Sequence, residues 1–411
     1  MEDVYIVNPI RTPGCRSKKG AFAYTRPENL MASTLQTLTE QAGIDKSTVD
    51  DVMIGCSFPE AEQGLNLGRI CSLMAGFPVT VSGATINRFC SSGLEAMALC
   101  AMRVHAGISD MTIAGGVESM THVPMVGNLV RPNPSWTAND PSVFISMGMS
   151  AENVAVQFDV SRQSQDEFAM HSHLKAAKAQ ESGYFTEIVP TPGVKYTKDA
   201  EGNPKKETFI QNIDDGIRPN TTMETLAKLK PAFAVADPAK PNSGSVTAGN
   251  SSQTTDGAAA ALIVNEKALK EFGLKPVAKF KLYTTVGCPP EIMGVGPRYA
   301  IPKLLKLAGM DIKDIIENGL FEINEAFASQ AVYCARELGI GDPKYWQADS
   351  PDLCINISGG AIALGHPLGC TGVKLAATLI ANMRRLNKKW GLESMCVGGG
   401  LGVAALFELI D

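Results

Sequence analysis

TINRFCSSGLEAMALCAMRVH, residues 85–105, runs from the end of an apolar strand at Thr85–Asn87 into a helix from Ser91 to His105. Leu94, Met97, Ala98, Ala101 and Met102 recur at the three- and four-residue spacing of one helix face. Cys90 stands at the turn, followed by Ser91, Ser92 and Gly93. Strand, tight turn and helix in succession point to a mixed α/β chain. The unpaired amides and dipole at the start of that helix favour a thiolate, so the turn predicts a Cys90 thiol of lowered pKa.

The same pattern extends outward on both sides. Val4–Val7 reads as a buried strand, Pro27–Gly43 as a helix on Leu30, Thr34, Leu35 and Leu38, and Asp51–Gly55 and Met111–Gly115 as strands. From about Thr121 to Gln253 Pro and Asn recur and charges interleave; this stretch reads as an excursion with an amphipathic helix near Ser161–Ser182 and an exposed hairpin in YTKDAEGNPKKETF. SVTAGNSSQTTDGAAAALIV then leads from a small-residue loop into a helix or a buried strand. A second α/β region opens at Lys275–Val286 and closes on Ser394–Val397, a Gly turn and the apolar run Ala404–Leu409. DGAAAALIV and LGVAALFEL close the two halves alike, which suggests a faint internal repeat; any doubly wound protein can produce the same rhythm.

Composition narrows the function. With 411 residues, 45% hydrophobic and 19% charged, 39 Gly and 24 Pro, the chain can bury more than one core and contains many tight turns. The net charge of −5, without long Lys/Arg runs, argues against a nucleic-acid partner, although helix N-termini can still receive a phosphate-bearing ligand. None of the ten cysteines forms a C-x-x-C pair, so reduced thiols in a cytoplasmic setting are expected. No apolar run has the length of a membrane span, and the ending LFELID is not a Ser-Lys-Leu peroxisomal signal. A peroxisomal or mitochondrial location would require a signal not visible in the sequence.

Two further turns contain candidate chemistry: GGAIALGHPLGCTG around His366 and MCVGGGLGVA around Cys396. Two thiols and a histidine in small, Gly-rich turns suit covalent thioester chemistry, which needs a sulfur nucleophile, a base to generate its thiolate and a second acid/base for a leaving carbanion. NRFCSSG, GGVESMTHVPM, NEAFA, GGAIALGHPLGCTG and CVGGGLG, in this order, resemble the thiolase family, and the resemblance runs from VNPIRTPG to LFEL.

That resemblance implies a thiolase fold: two similar α/β domains in a layered αβαβα arrangement plus a loop domain. The expected N-terminal domain comprises residues 1–119 and 254–278, the loop domain over the coenzyme A site 120–253, and the C-terminal domain 279–411. It implies that Cys90 is the nucleophile, His366 the base, and Cys396 the acid/base acting on the acetyl-CoA carbanion, for which a thiol pKa near neutrality is suitable. Asn324 would hold a water that, with His366, forms one oxyanion hole; the amides of Cys90 and Gly398 would form another. Arg218 is assigned to the nucleotide end of coenzyme A, Ser252 to the pantetheine arm, and Met147, Met293 and Phe327 to the thioester pocket, where ordinary core packing explains the last three nearly as well.

Cys370, closer to His366 in sequence, is set aside, and Cys15, Cys56, Cys71, Cys100, Cys288, Cys334 and Cys354 read as small buried hydrophobes. Phe89 stands where many thiolases carry Gln, and Ser146 where acetoacetyl-specific members often have His. Both departures lean toward the degradative type, cleaving 3-oxoacyl-CoA with CoA to acetyl-CoA and a shortened acyl-CoA. The alternatives are an acetyl-CoA acetyltransferase and a silent CoA- or lipid-binding module. The family also implies a homodimer or homotetramer, no metal or redox cofactor, and room for a hydratase/dehydrogenase partner subunit.

Overall fold

The computed structural model describes residues 2–233 and 244–410. The N-terminal half runs β1 (Tyr5–Arg11), β2 (Cys15–Arg16), α1 (Pro27–Ala42), β3 (Asp51–Gly55), α2 (Leu67–Met74), β4 (Ser82–Ile86), α3 (Ser92–His105) and β5 (Met111–Ser119). An excursion follows with α4 (Pro134–Asn139), α5 (Met147–Gln157), α6 (Arg162–Glu181), β6 (Thr191–Lys198), β7 (Pro204–Gln211) and α7 (Met223–Ala227). The chain returns through β8 (Thr255–Val264) and α8 (Glu266–Phe272). The C-terminal half is β9 (Ala278–Gly287), α9 (Gly296–Ala308), α10 (Ile312–Asn318), β10 (Gly319–Ile323), α11 (Ala328–Glu337), α12 (Ala361–Leu364), α13 (Thr371–Leu386), β11 (Trp390–Val397) and β12 (Leu401–Leu409).

The stretch left open between helix and strand, TDGAAAALIV, is β8, buried at every position. Its alanines have no helical partner face, and neighbours on both sides take all of its backbone bonds: β1 and β5 flank it. Strand order is β10-β11-β12-β9-β1-β8-β5-β3-β4, with β2 also on β8. The halves join edge to edge where Tyr5 pairs with Lys279 and Ile6 with Ala278.

Within each half the pairing follows one plan. β1–β8, β8–β5 and β5–β3 are antiparallel, antiparallel and parallel, and β9–β12, β12–β11 and β11–β10 repeat that series. Beyond β3 comes parallel β4; beyond β10 comes a parallel bridge from Phe321 to Ile355. The repeat suggested by the sequence is thus a repeat of topology.

Helices form three layers around these strands. α1 and α2 pack on one side of the N-terminal strands, and α9 and α10 on the far side of the C-terminal strands. α3 and α13 pack against each other between the two sets of strands, and α13 is buried throughout Thr371–Ile380. A helix buried on all sides belongs to a central layer, where each fully buried Leu or Ile stabilises by roughly 1.5–3 kcal/mol. Both central helices begin at a cysteine-bearing 3₁₀ turn, Phe89–Ser91 and Leu368–Cys370.

The excursion is tied to β1 by backbone hydrogen bonds of Arg11 to Glu187 and Val189, by Val189 joining the buried cluster of Val7 and Ile10, and by ions. Buried Arg11 donates from Nη1 and Nη2 to Asp214 at 2.8 and 3.0 Å and from Nε to Glu187 at 3.0 Å. Removing one partner from such a buried group typically costs about 3–5 kcal/mol, because the remaining charge is stranded.

Candidate active site

The turn before α3 is strained. Phe89 has φ +41°, a region that a bulky side chain enters at a cost of order 1–3 kcal/mol. Hydrogen bonds hold it there: its N–H donates to Asn87 Oδ1 at 2.8 Å, and its carbonyl accepts from Ser92 Oγ at 2.6 Å and Ser57 Oγ at 2.8 Å. Cys90 is therefore delivered in one orientation. It is 7% exposed and packs with Met120, Leu368 and Phe58.

The backbone amides of Gly398 and of Cys90 itself bear on the Cys90 sulfur. The structure nevertheless corrects the lowered pKa expected from the helix end: burial pushes the Cys90 thiol up to about 11, outweighing those amides, and Glu118 adds to the rise. The resting group is a thiol.

His366 follows Gly365, whose φ is +80° and where a Cβ would fall 2.2 Å from Thr255 Oγ1, so only glycine fits. The His366 N–H donates to Gln253 O at 3.2 Å and to Thr255 Oγ1 at 3.1 Å. The Thr371 hydroxyl donates to the Pro367 carbonyl at 2.9 Å and, with its only proton used, accepts from His366 Nδ1 at 2.6 Å. That fixes the proton on Nδ1 and leaves Nε2 unprotonated, with a lone pair able to act as a base. Nε2 accepts from Asn324 Nδ2 at 3.3 Å, while Asn324 Oδ1 is buried without a partner among the described residues. Burial, and then Lys374, lower the His366 pKa to about 3, so the ring is neutral.

Asn324 comes directly after β10, its N–H anchored on Ser394 O at 2.9 Å. Glu325 beside it accepts from Ser172 Oγ at 2.6 Å, Asn356 Nδ2 at 2.8 Å and the Ile362 N–H at 3.2 Å. This carboxylate pins the loop that leads to His366.

Cys396 is the last residue but one of β11, opposite Gly402, and is fully buried. Met293 and Phe327 share a buried apolar cluster with it, and Met147 packs against that cluster. Burial, with Cys90 next, pushes the Cys396 thiol well above its usual range, which corrects the expectation of a value near neutrality. Gly398 lies between the two thiols' surroundings: a Cβ there would be 3.6 Å from Met147 Sδ and 3.7 Å from the Phe89 ring. Its missing side chain keeps that approach open.

Cys90 packs with Leu368, two residues past His366, and the hydrogen bonds of the His366 ring are with Asn324 and Thr371. Arg218 is exposed; its N–H donates to His173 Nδ1 at 3.2 Å, and its guanidinium forms no ion pair among the described residues. Ser252 is half-buried next to the pocket, its N–H on Ala326 O at 3.0 Å. Sequence reasoning missed Thr371, Glu118 and Phe233. Buried Glu118 accepts from the Ser57 and Gly369 amides at 2.8 and 2.7 Å and from Gln63 Nε2 at 2.7 Å, joining the turns before α3 and α13; a carboxylate inside MTIAGGVES was the available signal. Phe233 packs edge-on against Phe327, 6.2 Å between ring centres, and nothing in its local sequence marks it.

Comparison with known proteins matches residues 4–267 to the thiolase N-terminal domain and residues 274–409 to the thiolase C-terminal domain. The 3-ketoacyl-CoA thiolase of Bacillus subtilis is 47% identical over 410 residues, covering 100% of both chains. The crystal structure of the dimeric peroxisomal thiolase of Saccharomyces cerevisiae superposes with a TM-score of 0.84 at 37% identity, covering 100% of this chain and 98% of that one. The acetyl-CoA acetyltransferase of Bacillus anthracis gives a TM-score of 0.85 at 36% identity, covering 100% and 99%.

Proposed function

The chain belongs to the thiolase family and is an acyltransferase, and from that premise we propose that it is a 3-ketoacyl-CoA thiolase of fatty-acid β-oxidation. The observation that carries the reading is the packing of the Cys90 turn against both the turn that follows His366 and the strand that holds Cys396. Coenzyme A enters as a substrate.

His366 Nε2 takes the Cys90 proton, and the thiolate attacks the 3-keto carbon. The oxyanion is met by the amides of Cys90 and Gly398; losing one such donor typically costs about 2.7–4 kcal/mol. Collapse breaks the carbon–carbon bond and expels acetyl-CoA as its enolate, which Cys396 protonates. Protonated His366, with a water held by Asn324, faces the enolate oxygen. Cys396 then deprotonates the incoming CoA, whose sulfur attacks acyl-Cys90; the shortened acyl-CoA leaves, and the Cys90 thiolate set free takes back its proton from His366. The high thiol pKa values fit this order: neither sulfur holds a charge until a substrate creates the need for one. Arg218 and Ser252 contact the nucleotide and pantetheine of CoA, and residues 120–253 form the domain around it.

A homodimer fits the reading, since β4 is a half-exposed edge strand whose one ladder partner among the described residues is β3. Ten free cysteines fit a reducing, cytosol-like compartment. The second reading, condensation by an acetyl-CoA acetyltransferase, draws on the second structural likeness. Mixing the protein with a medium-chain 3-oxoacyl-CoA without CoA tests the first: one equivalent of acetyl-CoA is expected with an acyl adduct on Cys90. An adduct on Cys396 or Cys370, or none, refutes the assignment.

A further inference from the structure

The first two residues of β8 reach the surroundings of both the nucleophile and its base. Asp256 is fully buried and pairs across the sheet with Ser119, the last residue of β5. Its Oδ1 accepts from the Ser119 hydroxyl at 3.1 Å and from the Thr121 N–H at 2.9 Å, and its Oδ2 from the Thr121 hydroxyl at 2.5 Å. One carboxylate thus grips the residues on either side of Met120, which packs on Cys90. The far end of that side chain is held as well: Met120 Sδ accepts from the Thr255 N–H at 3.3 Å. Thr255 Oγ1 accepts from the His366 N–H at 3.1 Å, while its own proton goes to the Gln253 carbonyl at 2.6 Å. A methionine has three rotatable side-chain bonds and adapts to irregular gaps, so a fixed position has to be imposed on it from outside.

The donor count explains why the group is a carboxylate. Three N–H and O–H donors converge on it, and Thr121 Oγ1 already accepts from the Lys18 N–H at 2.6 Å, which leaves its own proton for Asp256. Likewise Ser119 Oγ accepts from the His122 N–H at 3.3 Å and lies 2.8 Å from His122 Nδ1. A carboxamide in this place would turn an amide donor against hydroxyl donors. Burial raises the Asp256 pKa, and the hydrogen bonds of Thr121 and Ser119, with His122, pull it back.

We propose that Asp256 is a positioning residue for the Cys90–His366 pair, clamping Ser119 and Thr121 so that Met120 and Thr255 fix the nucleophile and the base relative to each other. The proposal rests on the thiolase reading of those two groups.

Thr121 is half-buried, which makes it the place to test a clamp whose carboxylate lies in the core. Thr121→Val removes the donor to Oδ2; kcat is expected to fall about ten-fold, as for one lost hydrogen bond to a charged group, with KM for CoA unchanged, and Thr121→Ser to restore it. Asp256→Asn should lose at least as much, and the Thr121 variants decide where it does not fold. In a Met120→Leu background, which lacks the thioether acceptor, Thr121→Val should cost less than about two-fold more, because the clamp acts through Met120. Alkylation of Cys90 by iodoacetamide, followed by mass spectrometry without any CoA ester, should slow by about the same factor as kcat, since it draws on the same thiolate. Losses that multiply in the double variant overturn the proposal, and so does a Thr121→Ser protein no faster than Thr121→Val. Absence of thiolysis in the unsubstituted protein, with Cys90 alkylation still slowed by Thr121→Val, would overturn the parent reading and leave the clamp standing. Thiolysis and alkylation both unchanged in Thr121→Val would sink the clamp alone.

Discussion

The two halves place cysteines at matching points of one topology and use them differently. Cys90 closes the turn before α3, and Cys370 closes the turn before α13. Glu118 sits near the end of β5 opposite Gly257, and Cys396 near the end of β11 opposite Gly402. Cys90 has the amides of Gly398 and of itself bearing on its sulfur and keeps 7% of its surface exposed. Cys370 is 1% exposed beneath Gly93 and Gly116, and burial drives its thiol up to about 12. Glu118 has both oxygens committed to hydrogen bonds, whereas Cys396 meets only its own amide and the pocket side chains. Position in the fold offers a place for chemistry; surrounding donors and access decide whether it is used.

Replacing Cys90 tests this difference most severely. Cys90→Ala should lower turnover by at least about 10⁴-fold, since the covalent route disappears with the sulfur. Cys396→Ser should lower it by about 10²–10⁴-fold, the usual contribution of a general acid/base, yet still allow slow acylation of Cys90. Rapid-quench mass spectrometry separates the two variants. A Cys396→Ser protein that never acylates would merge the roles that the comparison keeps apart.

Smaller effects are expected around His366. Thr371→Val removes the acceptor of the Nδ1 proton and leaves a buried donor unpaired, costing about 1–3 kcal/mol, or roughly 5–150-fold in kcat. Thr371→Ser should restore most of the rate. With His366 lowered to about 3, the base stays neutral on acidification through the ordinary histidine range, so kcat/KM should not fall between about pH 7 and 5 by titration of this group. Stability moves the other way in that window. The unfolded chain binds a proton below its own histidine pKa while the folded chain resists it, so this residue makes the protein less stable as pH falls from about 6.5 toward 3. A pH–rate profile with an acid limb near 6.5 that vanishes in His366→Asn would contradict the neutral, buried ring.

Much of this was legible in the sequence because small, long-range-insensitive signals coincide at the turns. The spacing from Leu94 to Met102 placed α3, and Gly and Ser around Cys90, His366 and Cys396 marked the turns that the structure gathers. Ala258–Ala261 were ambiguous because alanine suits either element, and only pairing on both sides makes β8 a strand. The thiol pKa values were misjudged for a similar reason: helix-end amides are local and visible, whereas burial is the summed effect of residues far away in the chain, such as Met120 and Leu368 on Cys90. Thr371 escaped notice because its importance depends on a hydroxyl proton being committed to Pro367.

The mildest test concerns Cys370, the counterpart that the fold places like Cys90 but packs shut. Cys370→Ala removes one buried sulfur between α13 and the N-terminal strands, where Gly116 and Gly93 already allow close backbone approach. The expected cost is about 1 kcal/mol of stability, at the low end of what a small buried side chain contributes, read as a lowered denaturation midpoint at constant slope. Turnover should stay within about two-fold, because no step passes through this thiol. A larger kinetic loss would have one physical route: the turn Leu368–Cys370 also carries Gly369, whose amide binds Glu118 at 2.7 Å, and Leu368, which packs on Cys90. If turnover fell ten-fold with stability unchanged, then packing at Cys370 positions the nucleophile's floor, and the two halves would be coupled at the point where they now look independent.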